Sequence, residues 1–98
     1  MNLTRKIYNL KCKIRDIVIK QIENGNKPEI DTELLLQLRE LFLKEKHDFF
    51  IEVYGENEGE IIFQMYTYKS NLINYLAYEI ISAAEYSVEI GRKVCPKI

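Results

Sequence analysis

Apolar residues recur every three or four positions through the first quarter of the chain, which is the period of an amphipathic helix. The stripe comprises Leu3, Ile7, Leu10, Ile14, Ile17, Val18 and Ile22. We predict a first helix over residues 4–24, with Thr4 capping its start. Asn24 and Gly25 are expected to end it, because Asn and Gly tolerate the left-handed conformation at a helix terminus.

A second stripe begins just after Asp31 and Thr32, either of which can cap a helix through its side-chain oxygen. The stripe comprises Leu34, Leu35, Leu38, Leu41 and Phe42. Five polar residues follow at 44–48 and interrupt it for more than one helical turn. The pattern therefore predicts that the second helix ends in this polar run.

Residues 49–54 and 61–68 are rich in Val, Ile, Phe and Tyr, which suit a pleated surface. The five residues between them begin and end with glycine, so the segment is typical of a β-hairpin. A helical alternative stays open. In it, Gly55 ends a longer second helix, Asn57 caps a third, and Glu60 completes a capping-box-like pair.

The last periodic segment predicts a helix over at least residues 71–89, ended by Gly91, with an irregular tail after it. The predicted fold class is α+β in a single domain of residues 1–98: two N-terminal helices, a β-hairpin and a C-terminal helix. The alternative is an all-α three-helix bundle with long second and third helices.

Composition narrows the class of protein. With 98 residues, 47% hydrophobic and 30% charged, the chain is typical of a small soluble domain. A formal net charge of −1 provides no overall attraction to nucleic acid or membranes. Cys12 and Cys95 are the two cysteines, too few for a disulfide framework, so we expect a cytoplasmic protein. One bridge between them stays open as an alternative, and no membrane association is expected.

Charge is distributed unevenly along the chain. Residues 1–28 carry seven basic and two acidic side chains, whereas residues 29–60 carry three basic and ten acidic ones. The basic side chains of the first helix include Lys6, Lys11, Lys13, Arg15 and Lys20. These charges either pair with the second helix across an antiparallel contact, or they contact phosphates. The second interpretation makes the chain a nucleic-acid-binding regulator, which is our alternative function.

The acidic segment is the predicted recognition surface for a protein partner. Its candidate residues are Glu52, Glu56, Glu58 and Glu60, which surround the predicted hairpin tip. Such a tip suits a basic groove on another protein, including one that normally holds nucleic acid. Small size, this charge layout and a composition rich in Ile, Lys, Asn and Tyr suggest a phage- or plasmid-type inhibitor or regulator.

Tyrosine is frequent, with seven residues and no tryptophan. Tyr68, Tyr75, Tyr78, Ser82 and Tyr86 fall near one side of the last helix, opposite a second apolar side. Either both sides are buried inside the molecule or the tyrosine side is exposed as an interface. Tyrosine is enriched in interfaces because its ring packs while its hydroxyl remains hydrogen-bonded. We predict a homodimer through these residues.

Candidate catalytic chemistry is sparse. His47 is the only histidine, so the usual histidine-rich metal site is not expected. Cys12 lies between two lysines, but no partner base can be named for it. The glycines are scattered and form no phosphate-binding loop. We therefore expect a non-enzymatic interaction protein without a cofactor or metal.

Overall fold

Four helices make up the part of the chain that the computed structural model describes, which comprises residues 2–69 and 71–96. They are α1 (Leu3–Glu23), α2 (Thr32–Tyr54), α3 (Glu56–Lys69) and α4 (Leu72–Ile90). The described residues contain no strand. The molecule is elongated, with principal dimensions of 49 × 25 × 20 Å.

The predicted α+β fold with a β-hairpin is wrong, because residues 49–54 belong to α2 and residues 61–68 lie within α3. The all-α alternative is closer, since Gly55 does end a long second helix. It is still incorrect in number, because its third helix is divided into α3 and α4. The aromatic residues serve a helix–helix contact instead of a sheet. The ring of Phe50 packs at 5.8 Å from that of Tyr66.

The polar run at 44–48 does not end α2, because its side chains find partners on other helices. Glu45 accepts a hydrogen bond from the hydroxyl of Thr4 in α1. His47 Nε2 lies 2.6 Å from a carboxylate oxygen of Glu60 in α3. A polar run is therefore compatible with a continuous helix wherever neighbouring helices supply such partners.

The hydrophobic core lies among α1, the first half of α2, and α4. Its buried members are Ile7, Ile14, Val18, Leu38, Leu72, Leu76, Ile80 and Ala84. From α2, the partly buried residues that pack against this core end at Leu43. Burial of each large aliphatic side chain contributes about 1.5–3 kcal/mol, so this cluster is the main source of stability.

Beyond the core, residues 46–54 of α2 and the whole of α3 form a two-helix hairpin, called the arm below. Within the described chain, α3 packs against α2 and against no other helix. Gly55 allows the sharp turn between them through a positive φ of 87°. Gly59 then faces the backbone of α2, where an added Cβ would lie 2.5 Å from the carbonyl oxygen of Phe50.

The helix ends follow local signals closely. Asp31 caps α2 by accepting a 3.0 Å hydrogen bond from the backbone N–H of Glu33, as predicted. Gly91 ends α4 in the left-handed conformation, which is also as predicted. The cap of α1 differs from the prediction, because Asn2 and not Thr4 accepts the bond from the N–H of Arg5, at 2.8 Å.

Candidate functional site

The predicted dimer-interface residues lie on two helices. Tyr75, Tyr78, Ser82 and Tyr86 follow one side of α4, whereas Tyr68 lies in α3. The exposed fractions are 92% for Tyr68, 54% for Tyr75, 72% for Tyr78 and 53% for Tyr86. Ser82 is partly buried. The structure therefore leaves the tyrosine rings open to solvent, and α4 buries only its opposite side.

A groove of about 430 Å³ runs beside these tyrosines. It is lined by Tyr75, Tyr78, Glu79, Ser82, Ala83, Tyr86, Val94, Cys95 and Pro96. One wall is thus α4, and the other is the tail that follows Gly91. The four residues of α4 that the sequence singled out and this tail form a single surface, called the tyrosine groove below. The contribution of the tail was not predicted.

Hydrogen bonds from two helices hold the tail in place. The backbone N–H of Val94 donates to Ser87 Oγ at 2.7 Å, and Arg15 Nη1 donates to the carbonyl oxygen of Val94 at 3.0 Å. Tyr8 Oη donates to Cys95 Sγ at 2.8 Å. The tail therefore lies along the groove as one of its walls, although it has no regular secondary structure.

Lys11 and Glu79 form an ion pair across the contact between α1 and α4. Their charged atoms lie 3.2 Å apart, and the side chains are 1% and 13% exposed. The Glu79 carboxylate, through its charge and a hydrogen bond, raises the pKa of Tyr75. This pair connects the core to the floor of the tyrosine groove. Sequence reasoning missed it, because Lys11 appeared to flank the apolar stripe and is instead buried within it.

The structure separates the alternative nucleic-acid-binding residues into two groups. Lys6, Lys13 and Lys20 are exposed on α1, whereas Lys11 and Arg15 are buried. Arg15 binds the carboxylate of Asp16 through Nε at 3.2 Å and Nη2 at 3.0 Å. Although burial opposes its charge, the hydrogen bond and charge of this carboxylate raise the pKa of Arg15. Three of the five predicted cations are therefore displayed to solvent.

The predicted partner-binding glutamates meet at the end of the arm. Glu52 lies near the end of α2, and Glu56, Glu58 and Glu60 lie in the first turns of α3. All four are exposed. Negative charge in the first turn of a helix is favourable because the free backbone N–H groups there carry partial positive charge. The acidic tip therefore exists, but at a helical corner instead of a hairpin loop.

Glu60 differs from the other three because it also holds the arm together. Its carboxylate accepts a 3.0 Å hydrogen bond from Gln64 and contacts His47 across the arm. The hydrogen bonds from Gln64 and then His47 lower the pKa of Glu60. Reversing its charge would disturb both the surface and the arm, so Glu52, Glu56 and Glu58 are the better residues for testing recognition.

Apolar side chains are exposed beside the acidic tip, and the sequence did not identify them as functional. Phe49 and Val53 in α2 are 52% and 54% exposed, and Ile61 and Met65 in α3 are 61% and 55% exposed. Phe49 and Val53 lie on nearly the same side of α2 as Leu38. Leu38 is buried in the core, whereas Phe49 and Val53 belong to the arm and are exposed. These residues fall in the two segments that the sequence predicted as strands of a β-hairpin.

The candidate catalytic and metal-binding side chains can be located among the described residues. His47 contacts the carboxylate of Glu60, and its ring packs against that of Phe63 with the ring centres 4.8 Å apart. Residues 2–69 and 71–96 contain no group of three or more His, Cys, Asp or Glu side chains that could hold a metal ion. The absence of such a group from these residues leaves the expectation of a non-enzymatic protein untested.

Comparison with known proteins gives no match to this chain. No protein-family model matches it, and no significant match is found among curated proteins or solved structures. In the described ranges, none of the helices combines the length and apolar character needed to cross a bilayer.

Proposed function

We propose that this chain is a non-enzymatic regulatory protein of the cytoplasm that binds a protein partner through the arm. The observation that carries the proposal is that the arm combines four exposed apolar side chains with three exposed glutamates, Glu52, Glu56 and Glu58. Exposed apolar side chains with charged residues nearby are common at protein interaction sites. The partner it fits is a basic amphipathic helix or a basic groove with an apolar floor.

The second part of the proposal is a homodimer through the tyrosine groove. Three tyrosines more than half exposed, on a helix without a single Lys or Arg, support it. Tyrosine rings bury large areas at little cost in conformational entropy. The inhibitor hypothesis from the sequence remains part of the proposal, since an acidic arm can occupy a basic groove made for nucleic acid.

The dimer is tested by light scattering coupled to size-exclusion chromatography. We expect a mass of twice the 11.7 kDa chain. Replacing Tyr78, which is 72% exposed, with glutamate should restore the monomer mass by placing a charge in a tightly packed contact. Leu36→Glu is the matched control, because Leu36 is 45% exposed on the first half of α2 and should leave the dimer intact.

A wild-type chain that elutes as a monomer would refute the dimer. The same measurement with added generic DNA or RNA at low salt tests the alternative function. A rise in mass that disappears at higher salt would favour the alternative function, a regulator that binds nucleic acid. Lys6, Lys13 and Lys20, which are exposed on α1, would then be the contacts.

The acidic arm is tested by charge reversal. We expect Glu52→Lys, Glu56→Lys and Glu58→Lys together to weaken partner binding by at least about tenfold, since like charges would then face each other. Binding is followed by pull-down and then by titration of the recovered partner. Glu33→Lys with Glu40→Lys is the control, because both glutamates are exposed on α2 away from the arm.

Unchanged affinity in the arm variant, or an equal loss in the control variant, would contradict recognition through the acidic tip. Circular dichroism must show that both variants keep the helical content of the wild type. Glu60 is left in place so that its contacts with His47 and Gln64 continue to hold the arm.

A further inference from the structure

Tyr8 contacts one cysteine of the chain and lies one helical turn from the other. Its hydroxyl donates to Cys95 Sγ at 2.8 Å. Cys12 lies four residues after Tyr8 in α1, on the same side of the helix, and lines the same surface depression. The hydrogen bonds to Cys95 and then to Cys12 raise the pKa of Tyr8 to about 12. The Tyr8 hydroxyl thus binds the sulfur of Cys95, and Tyr8 shares one side of α1 with Cys12.

We propose that Cys12 and Cys95 are a redox pair that closes an intramolecular disulfide and fastens the tail to α1. Cys12 is held on a regular helix, whereas Cys95 belongs to the irregular tail after Gly91. A disulfide requires close Cβ atoms and a defined torsion angle, so one partner must be able to adjust. The tail provides that adjustment, and Tyr8 already places its sulfur beside α1.

Both thiols can be reached by a small-molecule disulfide. Cys95 is exposed, and Cys12 is partly exposed at an open depression of about 550 Å³. The oxidant we name is a disulfide of the glutathione class. The Cys95 thiolate attacks one of its sulfurs and releases one glutathione thiolate. The Cys12 thiolate then attacks Cys95 Sγ and releases the second.

The electron balance is complete in this scheme. The two cysteine thiols lose two electrons and two protons as the new S–S bond forms. The S–S bond of oxidised glutathione breaks, and its two halves leave as thiols carrying those electrons and protons. The reaction is reversed by an excess of reduced glutathione, so the pair responds to the redox state of the compartment.

The tail forms one wall of the tyrosine groove, and the disulfide would therefore fix that wall in position. An effect on dimerisation rests on the proposed function, but formation of the bond does not. The disulfide would close a loop between residues 12 and 95, which encloses most of the chain. Cross-links across long loops restrict the unfolded chain most.

The experiment uses the purified full chain equilibrated in mixtures of oxidised and reduced glutathione. Acid quenching, alkylation of free thiols and intact mass spectrometry then count the thiols. We expect the loss of two hydrogen atoms from one chain, no alkylation of Cys12 or Cys95, and no covalent dimer on a non-reducing gel. The oxidised form should melt about 10–20 °C higher.

Three variants make the assignment specific. Cys12→Ser and Cys95→Ser should each leave one thiol, which forms a glutathione adduct instead of an internal bond. Tyr8→Phe keeps the fold but removes the hydroxyl between the sulfurs, and it should shift the glutathione ratio at half-oxidation. Hydrogen exchange at the backbone N–H of Val94 should slow on oxidation in the wild type.

The proposal is overturned if the wild type remains a dithiol in oxidised glutathione alone. It is also overturned if stable adducts or covalent dimers form without an internal bond. Because mass spectrometry reports the bond within each chain, these outcomes are independent of whether the protein dimerises. A monomer that forms the internal bond would refute the dimer while supporting the redox pair.

Discussion

Replacing Gly59 with alanine is expected to destabilise the arm by about 2 kcal/mol, although the same change stabilises most helices. The added Cβ would lie 2.5 Å from the carbonyl oxygen of Phe50 and 2.9 Å from Cα of Ile51. Both are backbone atoms, so no side-chain rotation can relieve the contact. The two helices must separate, and the ring contacts between them loosen.

The sign of this effect is what makes the test decisive. Alanine gains about 1 kcal/mol over glycine in an ordinary helix, so a loss measures the cost of close packing. Urea unfolding followed by circular dichroism gives the stability, and hydrogen exchange locates the loss in α3. Asn57→Ala is the control at an exposed position two residues away and should change stability by less than about 0.5 kcal/mol. A stabilised Gly59→Ala variant would show that the arm is packed more loosely than described.

Replacing Glu79 with alanine is expected to cost about 3 kcal/mol of folding free energy. The change removes the carboxylate 3.2 Å from the Lys11 ammonium, whose side chain is 1% exposed. A buried charge that loses its counter-charge is expensive because water cannot replace the interaction. The Tyr75 hydroxyl also loses a hydrogen-bond partner in the tyrosine groove.

A double-mutant cycle made of Lys11→Met, Glu79→Leu and the combined variant separates the pair from its surroundings. Lys11→Met combined with Glu79→Leu removes both charges while keeping the volume, and it should recover most of the lost stability. Glu85→Ala is the control, because Glu85 is an exposed glutamate on the same helix. Equal losses from Glu79→Ala and Glu85→Ala would contradict the assignment of Lys11 and Glu79 as a buried structural pair.

The two surfaces of the proposed function lie in different parts of the fold. The arm projects past the core, and the tyrosine groove lies on the bundle side of the molecule, beside α1 and the tail. A substitution on one surface should therefore leave the other surface unchanged. This separation allows partner binding and dimerisation to be measured as independent properties.

Some residues of the tyrosine groove and of the arm could be predicted from residue types and their spacing. The exposed tyrosines of α4 and the acidic cluster were both predicted, because spacing along one helix and charge density are local properties. The tail wall and the exposed apolar side chains of the arm were not predicted. Both depend on which segments pack together, and short apolar runs do not distinguish a strand from a helix.

The local features of this fold could be predicted from the sequence. It specified α1 and α4 through their periodic apolar positions, and it specified the ends at Asp31 and Gly91 through capping chemistry. These features depend on interactions between residues a few positions apart. For that reason they could be identified without knowing the tertiary structure.

The tertiary structure accounts for the remaining features. It continued α2 through the polar run, buried Lys11 against Glu79, and placed Gly59 against the α2 backbone. Each of these outcomes depends on a partner at least eight residues away in the chain, and for Lys11 the separation is 68 residues. Propensity and periodicity carry no information about such partners, because the free energy of a polar or glycine residue depends on what packs against it.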